Sequence, residues 1–265
     1  MTHAAESLHW YDRKGLPAYT VKAKAGHDRP TTLADARKLC LVPSVTNIIK
    51  CAAAPALERW KQQQVLMAAL TLTRISGETE EAYLDRIMQD SKEQARTAAN
   101  RGTSIHAAIQ GAFQNEGTDG LMIPYVEGVR RALGAWAGSE YDEECLMPEQ
   151  SFAHPLGFGG KTDLSCTSPY FVVDFKTKEF DTTADLKTWD EHAMQLAAYS
   201  RGLEMPENTR CAIGYVSVTV PGLVKLIELT PEDLAKGWTM FYSLLHYWKA
   251  KNCLDTAFQL EAAAA

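Results

Sequence analysis

The segment FVVDFKTK (residues 171–178) places an aspartate and a lysine directly after an apolar run. Successive side chains of a strand alternate between faces, so Asp174 and Lys176 share one face and Phe175 points the other way, into a core. A buried strand that ends in charge indicates that the charge is used. A carboxylate and an ammonium side by side can hold a cation and stabilise negative charge on a substrate.

A second acid, Asp163, lies upstream in GGKTDLSC, and the intervening TSPY (residues 167–170) is typical of a turn. A hairpin closed around that turn pairs Cys166 with Phe171 and sets Asp163 opposite Asp174, with Cβ atoms about 5 Å apart. Two carboxylates this close repel each other, and a divalent cation between them removes the penalty. Such oxygen ligands suit Mg²⁺ or Mn²⁺.

Lys176 would then lie one strand step beyond the cation, where an ammonium can orient the attacking water or stabilise a scissile phosphate. A simpler interpretation stays open on these residues alone. Asp174 and Lys176 can form an exposed ion pair where a strand leaves the core, and Asp163 can be an acid beside a turn, because short motifs also match by chance.

Two helical segments carry further polar side chains. Gln195 and Tyr199 in DEHAMQLAAYSRGL are four residues apart and share a helix face. Thr103, His106 and Gln110 in RGTSIHAAIQ share another face. Taken separately, these sets also fit an ordinary amphipathic pair and a core or surface histidine.

The predicted secondary structure around these residues changes from helices to strands along the chain. Residues 8–42 predict a short hairpin with loops, and residues 44–138 a series of helices, with ETEEAYLDRIMQDSKEQARTAAN followed by GTSIHAAIQGAF. Then CLMPEQSFAH, GFGGKTDLSC and YFVVDF predict three strands, before a helix over 186–203, two strands and a last helix over 230–251. We expect one α/β domain over residues 1–265, with an elaboration over 1–140, a core over 141–252 and a tail over 253–265.

In this order, GTSIH, GFGGKTD, VVDFKT and QLAAY resemble the motifs of the PD-(D/E)XK nuclease superfamily, and above all its RecB-like, phage-type exonuclease branch. The segment LVPSVTNIIKCAAAPALERW is similar to the opening of the phage and mitochondrial-type enzymes, so the resemblance covers about residues 43–199. It implies a restriction-endonuclease-like core, in which helices flank a mixed central sheet, with a helical N-terminal elaboration.

The resemblance implies a role for each matching residue. The metal ligands would be His106, Asp163, Asp174 and the carbonyl of Phe175. The catalytic residues would be Asp163, Asp174, Lys176, Gln195 and Tyr199. Glu149 matches a position that is often acidic, and its role stays open. Gln110 stands where some relatives have glutamate, which leaves a second metal site open.

The net charge of −6 argues against a protein that coats duplex DNA non-specifically, so DNA contact requires a local basic channel. The expected DNA-binding residues are Arg101, Thr103, Lys161, Lys178, Gln195 and Tyr199, with Arg96 and Lys187 nearby. The basic residues among them can equally be solvated surface charges. Trp60, at helical spacing from Leu57, is expected in the core rather than on a base-stacking surface.

Three other sequence patterns argue against particular kinds of protein: metal–thiolate proteins, nucleotide-binding proteins and membrane proteins. The six cysteines are scattered without a CxxC pair, which indicates reduced thiols rather than zinc or an iron–sulfur cluster. GGKT ends like a nucleotide-binding loop, but Pro155 replaces its first glycine and a strand should follow, so we expect these glycines to allow a tight turn or close approach of DNA. The sequence has no signal peptide or membrane span, which predicts a cytoplasmic protein of a bacterium or a phage-infected host.

These patterns predict a Mg²⁺- or Mn²⁺-dependent deoxyribonuclease that hydrolyses phosphodiester bonds at DNA ends, in phage-type recombination or DNA-end processing. The alternatives are a site-specific or structure-specific endonuclease and an inactive DNA-binding module of the same fold. The expected partner is DNA, single or double stranded, with a second copy of the chain and a strand-annealing protein as further candidates and no membrane.

Overall fold

A computed structural model describes residues 9–53, 55–138 and 143–258. The helices are α1 Leu33–Leu39, α2 Val45–Ile49, α3 Pro55–Thr71, α4 Glu80–Phe113, α5 Ile123–Ala137, α6 Asp190–Gly202 and α7 Pro231–Asn252, with a 3-10 turn at Glu143–Cys145. The strands are β1 Trp10–Tyr11, β2 Thr20–Lys22, β3 Asp28–Pro30, β4 Val42–Pro43, β5 Leu146–Pro148, β6 Ser151–His154, β7 Phe158–Lys161, β8 Leu164–Thr167, β9 Tyr170–Lys178, β10 Arg210–Ser217 and β11 Val224–Glu228. The fold is α/β with a mixed sheet, as predicted.

The central sheet has five strands in the order β11-β10-β9-β8-β5. β9 and β10 run parallel, and the other neighbours are antiparallel. α6 lies between β9 and β10 in the chain, because parallel neighbours need a crossover that is usually a helix. The predicted hairpin register is confirmed, since Cys166 pairs with Phe171.

Alternation along β9 builds a hydrophobic core on each face of the sheet. Phe171, Val173 and Phe175 pack with Ile105 of α4 and the buried face of α5. Val172 points the other way, into the cluster formed by α2, α6 and α7. Each fully buried apolar side chain contributes about 1.5–3 kcal/mol, so the middle of β9 is fixed from both sides.

Two of the three predicted core strands are each divided in two. CLMPEQSFAH breaks into β5 and β6 at Glu149, which has a left-handed backbone with φ of 56°. GFGGKTDLSC breaks into β7 and β8 around Asp163. The breaks face each other, because the Glu149 amide donates to the Asp163 carbonyl at 3.2 Å. The chain leaves the central sheet here and continues as the separate β6–β7 ribbon.

The helical region is more continuous than the sequence indicated. The two segments expected on either side of Arg101 form a single 34-residue helix, α4. α3 lies against α4, and together these helices form an arm beside the sheet. No described helix combines the length and apolar character that crossing a bilayer requires.

The segment assigned to a tail is partly held on the core. The Thr256 hydroxyl donates to the Gly157 carbonyl at 2.5 Å, and the Phe258 amide donates to the Pro155 carbonyl at 2.9 Å. Gly157 turns with φ of +88°, and a Cβ there would collide with Thr256. The remainder of the predicted tail, residues 259–265, lies outside the described residues, as does the expected boundary at residues 140–141.

Candidate active site

Asp174 is a buried charge in the middle of the sheet. Its neighbours Val173 and Phe175 point into the core on the α4 side, so alternation turns Asp174 toward α6. The residue is only 2% exposed. A buried carboxylate of this kind needs charged or hydrogen-bonding partners, and the side chains around it supply them.

Asp163 lies just before β8, one residue beyond the last hairpin pair, Leu164 with Val173, and the same register continued by one residue places it opposite Asp174. Its Oδ2 accepts a hydrogen bond of 2.7 Å from the backbone amide of Phe175. Burial, followed by the negative charge of Asp174, raises the pKa of Asp163 to about 7. Asp163 therefore holds its proton more tightly than a free aspartate, as expected for a buried acid beside a second carboxylate.

Lys176 supplies one positive charge from the same face of β9. Its Nζ lies 2.7 Å from Asp174 Oδ2. Burial alone would lower the pKa of Lys176, but the attraction of Asp174 and Asp163 outweighs it and raises the pKa. The lysine is therefore charged and remains 36% exposed through its side chain, so it can meet an anionic ligand.

α6 covers Asp174 with two of its polar side chains. Gln195 Nε2 donates to Asp174 Oδ1 at 2.7 Å and to the Tyr199 hydroxyl at 2.9 Å. Both residues are buried. Burial and the negative charge of Asp174 hold the pKa of Tyr199 well above its usual range, so the phenol stays neutral. The amide thus fixes one oxygen of Asp174 from behind.

His106 approaches the acids from α4. Its Nδ1 lies 3.5 Å from Asp163 Oδ2, and its ring bonds to the Phe175 backbone. Burial and the charge of Lys176 lower the pKa of His106, against the attraction of Asp174 and the Phe175 carbonyl. The imidazole is therefore neutral near pH 7, which is the form that binds metals.

These residues surround one open cavity of about 450 Å³. The expected site residues that line it are Thr103, His106, Asp163, Asp174, Phe175, Lys176, Gln195 and Tyr199. α4, β9, α6 and the β7–β8 connection thus bring together parts of the chain that are far apart in sequence.

The two carboxylates and the backbone carbonyl fit a hard divalent cation such as Mg²⁺ or Mn²⁺, whereas the imidazole is a ligand more typical of later transition metals. Among the described residues, however, no group of three or more His, Cys, Asp and Glu side chains is arranged as a ready metal site. One physical reason is local, because Lys176 and Gln195 lie against the two oxygens of Asp174. A cation would have to share or replace the ammonium.

Glu149, Lys161 and Gln110 are not among the residues that line this cavity. Glu149 and Lys161 form an ion pair with each other. Gln110 Nε2 donates to Gln114 Oε1 at 3.3 Å, one turn further along α4. The structure therefore places the two residues of open role outside the cavity.

Arg101 and Lys178 line a second, neighbouring cleft instead. Arg101 donates to the Val218 carbonyl, so part of its guanidinium holds α4 against the end of β10. Arg96 is exposed, and Lys187 lies 3.6 Å from Asp185 on the surface. The basic residues are thus dispersed around the cavity rather than gathered inside it.

The expectation for Trp60 was wrong. Its side chain is 38% exposed and lines the second cleft, and Leu57 is also exposed. α3 packs on α4 rather than on the sheet, so apolar residues at helical spacing need not reach a core.

The glycines of GFGGKTD have a packing role. Gly160 lies within β7, and a Cβ there would come 2.7 Å from the Phe152 ring and 2.9 Å from the Tyr199 ring. Because GGKT belongs to a strand that no helix follows, the nucleotide-binding interpretation fails structurally as well. Close packing against Tyr199, rather than approach of DNA, explains this glycine.

Sequence reasoning missed Gly102 and Thr177 as cavity residues. A Cβ on Gly102 would lie 2.7 Å from Thr177 Oγ1, so α4 and β9 approach closely at this point. Gly102 begins the predicted segment GTSIHAAIQGAF, and a glycine inside a charged helix can also signal a close contact.

No protein-family model and no curated protein matches the chain. Among solved structures, the chain is similar to one titled "Crystal structure of SSO0001", with 14% sequence identity, coverage of 77% of this chain and 98% of that chain, and a TM-score of 0.31. A likeness at this level carries no argument about fold or function.

Proposed function

We propose that the protein is a Mg²⁺- or Mn²⁺-dependent deoxyribonuclease with a restriction-endonuclease-like core of the PD-(D/E)XK type. The observation that supports this most is the juxtaposition of Asp163, Asp174 and Lys176 at one cavity. One acid just before β8, a second acid on the neighbouring β9 and a lysine two residues after the second acid are the components that metal-assisted phosphodiester hydrolysis needs. The five-stranded mixed sheet with α6 over the site also suits such a core.

His106, Asp163, Asp174 and the Phe175 carbonyl would hold the cation. When bound, Mg²⁺ or Mn²⁺ supplies Lewis-acid activation of the phosphate and lowers the pKa of water. Two features favour binding of the cation. The lowered pKa keeps His106 neutral, and the hydrogen bond from Gln195 fixes the position of Asp174 Oδ1. Tyr199 in turn orients Gln195 from the buried side.

Lys176 has two tasks in this proposal. Without a cation, its ammonium offsets the charge of Asp174 at 2.7 Å. With substrate present, the same ammonium is close enough to the cavity to stabilise negative charge that develops on the phosphate. The negative charge of the phosphodiester and of the two carboxylates together exceeds the positive charge of one lysine, which again favours a divalent ion.

Action at DNA ends, in phage-type recombination or DNA-end processing in the cytoplasm, is the more specific part of the proposal and depends on the motif resemblance. Thr103 lines the cavity, and Arg101 and Lys178 lie in the adjoining cleft, where they can contact the DNA backbone. Lys161 lines neither space, and its ammonium is already paired with Glu149, so it is not included among these contacts.

The deciding experiment compares end-labelled linear duplex DNA with closed circular DNA in Mg²⁺, Mn²⁺ or EDTA. A Lys176→Ala variant is the test, and Lys187→Ala is the matched control, because Lys187 is an exposed surface lysine. We expect metal-dependent loss from linear ends by wild type and by the Lys187 variant, and none by the Lys176 variant. Cleavage of closed circles would favour the endonuclease. Binding of DNA without any cleavage would favour the inactive module.

A further inference from the structure

A second cleft opens directly beside the candidate site. It has a volume of about 1030 Å³ and lies between the arm and the end of β9. Thr177 lines both this cleft and the active-site cavity, and Arg101 in the cleft precedes Gly102 in the cavity. The two spaces therefore meet where α4 and β9 approach each other. An extended polymer can occupy both at once.

The walls of the cleft combine an aromatic surface with charges of both signs. Trp60 and Gln64 of α3 form one wall, and Trp60 presents a 38% exposed side chain. Arg101 and Lys178 stand at the end nearest Thr177. Asp90 and Glu93 lie two to three turns further back along α4, and Glu179 follows Lys178.

Different parts of the cleft suit different parts of a nucleotide. Arg101 and Lys178 near the candidate site suit phosphates, although Glu179 offsets part of their charge. The exposed indole of Trp60 suits the flat face of a base. Carboxylates repel phosphates but accept hydrogen bonds from the amino groups of bases. The distal part of the cleft thus favours bases over backbone.

The dimensions agree with a short strand. From Asp90 to Arg101, α4 advances about 16 Å at about 1.5 Å per residue, which corresponds to about five stacked nucleotides at about 3.4 Å each. The bases of a duplex have their faces covered by neighbours, whereas an unpaired base can stack on an aromatic side chain.

We propose that the cleft binds a short unpaired stretch of DNA, with one base stacked on Trp60, and leads that strand to the candidate site. The direction of the strand toward the cavity rests on the proposed nuclease function. The binding itself does not, so the two can fail separately.

The test measures binding in EDTA, where no cleavage occurs, by fluorescence anisotropy. The probes are a labelled single-stranded oligonucleotide of about six nucleotides and a duplex hairpin of matched composition, closed by a non-nucleotide linker so that it has no unpaired bases. The variants are Trp60→Ala and Trp60→Phe. Leu70→Ala is the control, because Leu70 is an 81% exposed apolar residue on the same helix and does not line the cleft. Circular dichroism verifies that each variant is folded.

We expect Trp60→Ala to weaken single-strand binding by roughly tenfold to a hundredfold, and Trp60→Phe to retain most of it, because a phenyl ring also stacks. Leu70→Ala and binding of the hairpin should not change. An abasic substitution at one position of the oligonucleotide should lower wild-type affinity and have little further effect on Trp60→Ala.

Equal affinity of Trp60→Ala and wild type for the single strand would overturn the proposal, and so would an equal loss on the hairpin. Parallel cleavage assays separate the two ideas. If wild type cleaves DNA but Trp60→Ala binds the single strand as well as wild type does, only the proposed role of the cleft is refuted. Trp60-dependent binding by a wild type that cleaves nothing refutes the nuclease and leaves the cleft in place.

Discussion

The candidate residues on β9 and those on the α3–α4 arm differ in how tightly the surrounding structure packs around them. Asp174 is held by buried neighbours on both sides and by two hydrogen-bonding or charged partners. Trp60 and Leu70 lie on a helix that packs on one other helix and keeps large apolar surface exposed. The side chains on the sheet are therefore held in place by close packing on both faces. The side chains on the arm are held mainly by the contact between α3 and α4. Substitutions in the two regions should differ accordingly.

The largest difference is expected in catalysis. Asp174→Ala should lower cleavage by about 10²–10³-fold or more, because it removes a metal ligand and the partner of Lys176. Asp185→Ala removes an exposed acid that also accompanies a lysine and should leave the rate unchanged. Initial rates on linear duplex DNA measure both, and equal rates for the two variants would refute the assigned role of Asp174.

Stability should show the same contrast. Phe175→Ala removes a ring that is 1% exposed and should cost about 3–5 kcal/mol of unfolding free energy. Leu70→Ala in the arm should change it by less than about 0.5 kcal/mol. Urea denaturation followed by circular dichroism measures both. A large loss for Leu70 would mean that its surface is covered in solution.

A third expectation concerns pH. The pKa of Asp163 is raised to about 7, above the value of about 3.9 of an unfolded aspartate. Without metal, this group stabilises the fold fully below about pH 3.9, and the contribution is lost as the pH rises through about 7. Binding of Mn²⁺ must release the proton, so apparent affinity should rise about tenfold per pH unit up to about pH 7 and then level off.

Titration calorimetry of the metal-free protein between about pH 5.5 and 8 measures this dependence. Asp163→Asn is the control, because it should bind Mn²⁺ more weakly and with a flatter pH profile. A wild-type affinity that does not change below pH 7 would contradict the coupling between Asp163 and the metal.

The smallest effects should distinguish two glycines within helices. Gly134 of α5 has open space around it, so Gly134→Ala should stabilise the protein by about 0.5–1 kcal/mol through helix propensity. Gly102→Ala has the same intrinsic gain, but its methyl group meets Thr177, so we expect little net gain. Thermal denaturation of both variants gives the comparison, and an equal gain would show that Thr177 moves away freely.

The sequence predicted those parts of the fold that depend on local rules. The turn at TSPY sets the β8–β9 register, and alternation sets the faces of Asp174 and Phe175, so both were predictable. The left-handed Glu149 was not, because the residue type gives no sign of positive φ. The exposure of Trp60 was not either, because helical spacing shows which residues share a face and not what that face meets.

α4 has a mechanical consequence. Its C-terminal part is anchored in the core by Ile105, whereas the half that begins at Glu80 packs mainly on α3. Glu80 lies about 39 Å from His106 along the helix axis, at about 1.5 Å per residue. A tilt of about 5° about the anchor would move the far end by roughly 3 Å and His106 hardly at all. A small tilt of the helix is therefore amplified at its far end, beside α3, and hardly moves His106.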